Sequence, residues 1–273
     1  MFEIWQQMFS FNFIIRAIVV GSAVSLCASL LGVSLVLKRY SMIGDGLAHV
    51  SFGALSVALA MNMAPLEVSV PVVVLAAFFL LRISQNSRIN GDAAIALISS
   101  SAIAIGITVT SLTSGLNADV SSYMFGSILA MTQSDVRISI VLSIIVFILF
   151  IVFYNQIFAV TFDENFAKAT GIKVEFYNML IAFLTAVTIV LGMRIMGTML
   201  ISSLIIFPAL SSMRIFQSFK GVIISSAIIS IICFFLGITV SYIYATPAGA
   251  SVVIVNAMVF LLFSLIGWIK RKG

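Results

Sequence analysis

Charge is scarce in this chain: 8% of its 273 residues are Asp, Glu, Lys or Arg, against roughly 25% in a soluble globular domain. Together with a hydrophobic content of 62%, this excludes a water-soluble fold and marks an integral membrane protein. No polar stretch is long enough for a separate aqueous module. Any nucleotide-binding or catalytic domain that the function needs is therefore expected on another polypeptide. The 2 cysteines, Cys27 and Cys233, each lie inside an apolar run, which rules out a disulfide framework or thiolate cluster and leaves them as small packing residues. Histidine occurs once, at His49, so one chain cannot supply several imidazoles to one ion. Residues Met1–Phe13 have neither a basic n-region nor a compact cleavage site, and a signal peptide is not expected there.

What is abundant is apolar sequence in runs that approach the roughly 20 residues a spanning helix needs. Nine segments do so: Ile14–Leu37, Ile43–Met61, Leu66–Leu81, Ala93–Leu112, Ile138–Phe158, Phe176–Met193, Met196–Met213, Val222–Tyr242 and Ala248–Ile269. Several are short or closely spaced, so the expected fold is all-α and polytopic, with eight to nine transmembrane helices in one domain over residues 1–273.

The basic residues alternate with those segments. Lys38, Arg39, Arg82, Arg88, Lys168, Lys173, Arg214, Lys220, Lys270, Arg271 and Lys272 fall on one side, and Arg16, Arg137 and Arg194 on the other. Positive-inside logic puts the richer side, with the C-terminus, in the cytoplasm. The net charge of +5 is thus explained by topology, and no nucleic-acid partner is expected.

Three connections carry further signals. Within Thr113–Gln133, the patch Tyr123–Ala130 is too apolar for a free loop and too short to span, which fits either a re-entrant helix or a plain connection. Thr246–Gly249 breaks the last two spans with a proline and a glycine, as a turn does. Phe162–Gly171 is expected to be a short cytoplasmic helix capped by Asp163 and ended by Gly171. Phe162 and Phe166 would share a face four residues apart and call for a partner surface.

The candidate site is Asp45 with His49. At i and i+4 of a helix, a carboxylate and an imidazole share a face and can hold one cation. The other reading is structural: Asp45 caps its helix or pairs with Arg39, and His49 bonds a backbone carbonyl. The small neighbours Gly44, Gly46, Ala48, Ser51, Gly53 and Ala54 favour the first, because they permit close helix approach or a permeation path. Two ligands are too few for a divalent cation. If a metal binds, the simplest completion is a two-fold homodimer that contributes the pair twice.

Five stretches then carry a resemblance. Leu37–His49, Gly91–Leu97, Phe162–Gly171, Met196–Ala209 and Thr246–Val253 resemble, in order, signatures of membrane permeases of bacterial metal-cation ABC importers, the zinc, manganese and iron group. One departure is Ala96, where that family often has glycine. The resemblance implies a homodimeric permease in the bacterial inner membrane, surrounded by lipid. It implies cytosolic ATP-binding subunits docking at Phe162–Gly171, and an extracytoplasmic protein that delivers the metal. It also implies that Asp45 and His49 are metal ligands on the path, with no catalytic residue and no permanently bound cofactor in this chain. Borderline cations accept both oxygen and nitrogen donors, so zinc and manganese (or iron) all suit the pair. Tyr123–Asp135 and Tyr244–Val253 look closer to zinc permeases, and zinc is the expected cargo. A secondary cation transporter, with a proton exchanged at His49, and a membrane metalloenzyme are the competing classes.

Overall fold

The computed structural model describes residues 2–86, 91–113, 126 and 133–272, and every regular element among them is a helix. In a bilayer a helix satisfies its backbone polar groups within its own segment, which is why apolar runs of this length adopt it. In chain order these are α1 (Phe2–Met8), α2 (Asn12–Leu37), α3 (Ser41–Ala60), α4 (Pro65–Asn86), α5 (Gly91–Leu112), α6 (Gln133–Val152), α7 (Tyr154–Phe162), α8 (Glu164–Ala169), α9 (Val174–Met196), α10 (Thr198–Met213), α11 (Phe219–Tyr244) and α12 (Ala248–Lys272).

Among the described residues, 8 helices are long and apolar enough to cross a membrane: α2 to α6, α9, α11 and α12. The segment expected at Met196–Met213 becomes α10, a helix of 16 residues, roughly 24 Å long and short of a full span. The apolar run Ile138–Phe158 is not one helix. Phe153 leaves helical geometry at φ −98° and ψ 17°, separating α6 from α7. The Tyr123–Ala130 patch, read as either a re-entrant helix or a plain connection, lies outside the described residues except for Gly126.

The inner helices are α2, α3 and α9, and α5 and α12 lie at the rim. Helices approach closely where side chains are smallest, as expected where lipid offers no hydrophobic drive for helix association. A Cβ on Gly32 of α2 would stand 2.0 Å from the Ile205 carbonyl oxygen of α10, and one on Gly53 of α3 would stand 2.7 Å from the Ala102 carbonyl oxygen of α5. Polar contacts add to the α2–α11 seam: the Ser25 and Ser230 hydroxyls meet at 2.5 Å, and Ser230 also donates to the Ser25 carbonyl at 3.0 Å. Cys27 and Cys233 are buried free thiols.

The expected turn before the last helix is present. Ala245 takes a left-handed φ of 50°, and the Thr246 and Ser251 hydroxyls meet at 2.7 Å across the entry to α12.

Candidate functional site

The helix that carries the candidate pair begins after a tight reversal. Arg39 sits at φ 61°. Its amide donates to the Val36 carbonyl at 3.1 Å, and the Tyr40 amide donates to the Leu35 carbonyl at 2.8 Å. These two bonds form a Schellman motif, with arginine at the position that glycine usually fills. The reversal turns the chain from α2 into α3 in three residues.

Asp45 and His49 lie roughly 6 and 12 Å along α3 from its first residue. His49 Nε2 stands 3.6 Å from Asp45 Oδ2, beyond ordinary hydrogen-bond length. The His49 and Asp45 side chains are 23% and 42% exposed, so neither is fully buried in the protomer. Asp45 is in the second turn of α3, whose N-cap is Tyr40 without a side-chain bond, and therefore does not cap the helix.

The third member is a residue that sequence patterning passed over. The Ser202 hydroxyl shares its one proton between Asp45 Oδ1 at 3.1 Å and the Thr198 carbonyl at 3.2 Å. It reaches Asp45 because Gly197, at φ 83°, breaks the chain between α9 and α10 and sets Ser202 in the second turn of α10. A serine in an apolar run is usually satisfied within its own helix, and Ser202 does make that bond, so only the fold distinguishes it. Gly197 in the stretch Met196–Ala209 was the available signal. Gly126 lies against the same break: a Cβ there would stand 2.3 Å from the Met196 carbonyl carbon. No group of three or more His, Cys, Asp and Glu side chains suited to a metal forms among the described residues. Ala96, at the position where the resembled family often has glycine, is exposed on α5.

At the other end of the reversal the Lys38 side chain is almost fully buried, 6% exposed. It donates to Glu164 Oε1 at 2.8 Å, to the Val160 carbonyl at 3.3 Å and to Asn178 Oδ1. Asn178 in turn donates from Nδ2 to Glu164 Oε1 at 3.1 Å. Burial pulls the Lys38 ammonium below the ordinary lysine range, against the upward pull of Glu164. Burial pushes the Glu164 carboxyl up, but hydrogen bonds from Lys38 and Asn178 outweigh it and hold the group below the ordinary glutamate range.

Glu164 opens the short helix α8. Asp163 caps it as expected, accepting from the Asn165 and Phe166 amides at 2.9 and 3.0 Å, and Gly171 takes φ 85° just beyond its end. The expectation of one helix from Phe162 needs correction. Asp163 is extended, at φ −150° and ψ 103°, so Phe162 ends α7 and Phe166 belongs to α8. The Phe162 ring packs against Phe158 and Phe219, with centroids 4.9 and 5.7 Å apart. Both phenylalanines are nonetheless exposed, at 58% and 63%. Ala167 on the inner face is buried with Val160 and Val174, which seats α8 on α7 and α9.

The ABC 3 transport family matches residues 10–267. The chain belongs to that family. It is a multi-pass membrane protein of the ABC 3 type, as the five stretches implied. It is 29% identical to the manganese import system permease protein ScaB of Streptococcus gordonii over 99% of this chain and 98% of that protein. Identity to the high-affinity zinc uptake system membrane protein ZnuB of Haemophilus influenzae is 27%, over 92% of this chain and 97% of the relative. Its fold matches a chain in the structure of PsaBC from Streptococcus pneumoniae in complex with Fab, with a TM-score of 0.86, 28% identity, and coverage of 96% and 94% of the two chains. An inward-facing structure of a putative metal-chelate type ABC transporter, 15% identical with a TM-score of 0.77, shares the ABC 3 chain's fold.

Proposed function

We propose that this chain is the permease subunit of an ATP-driven importer that moves a divalent transition-metal ion, zinc or manganese, across the membrane. The observation that carries the reading is the Asp45/His49 pair, not fully buried in the protomer and joined by Ser202 from α10, in a chain whose full-length relatives are named for manganese and zinc import. One carboxylate and one imidazole suit a cargo ion better than a resident one, since a transport site must also release.

Two protein ligands are half a site. A homodimer would bring two Asp45 and two His49 side chains to one axis and complete the coordination. Residues 1–273 act as one transmembrane unit, with Phe162–Gly171 as the element that docks on a cytosolic ATP-binding subunit. The exposed Phe166 on the capped helix α8 supports that role. ATP binding would move α8, and alternating access would follow as the helices around the pair tilt. An extracytoplasmic metal-binding protein would supply the ion. Between the metals, the resemblance of Tyr123–Asp135 and Tyr244–Val253 to zinc permeases favours zinc.

The test is uptake of zinc and of manganese, measured separately, in cells that carry the whole transporter with Asp45→Asn or His49→Ala. Loss of uptake with retained ATPase association supports the assignment. Normal transport by both variants removes it.

A further inference from the structure

We propose that Lys38 is a positioning residue that carries movement of α8 to the metal-binding helix, through its joint contacts with Glu164 and Asn178. This rests on the reading of Phe162–Gly171 as the ATPase-docking element.

Three observations support it. First, a lysine is a poor choice for a buried structural position, because burying an ammonium is costly unless every donor is matched. Here each of the three ammonium donors has an acceptor on a different element: the Val160 carbonyl on α7, Glu164 on α8 and Asn178 on α9. Asn178 also bonds Glu164, so α8 cannot shift relative to α9 without disturbing the same ammonium. Second, Lys38 is the C-cap of α2, immediately before the Schellman reversal, and that motif is locked by the Arg39 and Tyr40 amides. Only Arg39 and Tyr40 separate Lys38 from Ser41, the first residue of α3. Third, α8 itself has only a small apolar footing, with Ala167 its sole buried residue. The polar triad is therefore a large part of what fixes its position, and the connection from α8 through Lys38 to the Asp45/His49 helix is short and has little slack.

The test uses the complete transporter, with its ATPase subunits and delivery protein, in proteoliposomes. Metal uptake and ATP hydrolysis are read together, and association of the ATPase is followed by co-purification. Lys38→Met keeps the length and removes the charge. The expected result is retained association and ATP hydrolysis, with metal moved per ATP falling about tenfold. Glu164→Gln, at a half-exposed position, is expected to lower the same ratio. The double variant should be no worse than Lys38→Met alone, because residues acting as one unit are not additive.

An unchanged ratio in Lys38→Met overturns the proposal. So does parallel loss of association and uptake, which would make Lys38 a part of the docking surface only. If Lys38→Met fails to assemble, an unchanged ratio in Glu164→Gln overturns it equally. Absence of uptake by the unmodified transporter would count against the metal-import reading; the Lys38 link is then read by a spin label at Ser41, the first residue of α3, whose displacement on ATP binding should be lost in Lys38→Met, and an unchanged displacement overturns the proposal.

Discussion

Ser202 and Asp45 are 157 residues apart in sequence, yet the serine hydroxyl donates to the carboxylate at 3.1 Å. The bond ties the second turn of α10 to the second turn of α3, so the geometry at the candidate site depends on both helices.

Ser202→Ala is expected to weaken metal uptake without abolishing it. A hydrogen bond to a charged group contributes about 1.5–3 kcal/mol, and the exposure of Asp45 together with the serine's second bond to the Thr198 carbonyl puts the effect at the low end. Half-saturation for uptake should rise by roughly tenfold or less, with the maximal rate nearly unchanged. A complete loss of transport would instead make Ser202 a ligand.

Arg39→Gly should stabilise the protein. Arginine at φ 61° carries a left-handed strain of about 1–2 kcal/mol, and glycine removes it while adding some unfolded-state entropy. The net gain is expected at about 0.5–1 kcal/mol, visible as a higher midpoint in thermal unfolding of the detergent-solubilised chain. A lower midpoint would mean that the arginine side chain contributes more than its backbone costs.

Gly32→Ala should do the reverse. The added methyl would stand 2.0 Å from the Ile205 carbonyl oxygen, and backbone on a neighbouring helix yields only if α2 and α10 separate. A destabilisation of about 1–3 kcal/mol is expected, again read by thermal unfolding. Ala at Gly171 is the contrast, since nothing lies within 4 Å of its Cβ position, and its cost should come from the φ of 85° alone.

The Lys38–Glu164 pair predicts a pH dependence with opposite signs at its two ends. Glu164 is depressed in the folded chain, so its contribution is present above the ordinary glutamate value, about 4.3, and is lost as pH falls through the lower folded value. Lys38 is depressed too, and for a base that sign is unfavourable: the protonated form costs stability below the folded value, and the cost fades as pH rises through it toward about 10.4. Unfolding midpoints recorded against pH should therefore lose an acid-limb component in Glu164→Gln and an alkaline one in Lys38→Met. Identical profiles in both variants and the parent would rule out this account of the pair.

The membrane helices were legible because hydrocarbon imposes a length and a composition on any helix that crosses it, and α2, α3, α11 and α12 carry both. The Asp163 cap and the Gly171 stop were legible for a local reason, since each acts within one turn of its own position. Local sequence was less informative about Phe153, where apolar composition runs on but the helix does not. It was silent on Ser202, because a hydroxyl that bonds its own helix looks the same in every apolar run.

The sequence by itself determined that this is a helical membrane protein with one acidic and imidazole pair in an apolar helix, because transfer energies and helical periodicity are properties of short segments. Only the tertiary structure decided what faces that pair. Ser202 reaches Asp45 through a break at Gly197 that redirects a distant helix, and Lys38 meets Glu164 and Asn178 through the packing of α2, α8 and α9. Such contacts depend on how helices far apart in sequence cross and rotate, which glycine-to-backbone approaches such as Gly32 to Ile205 fix in three dimensions.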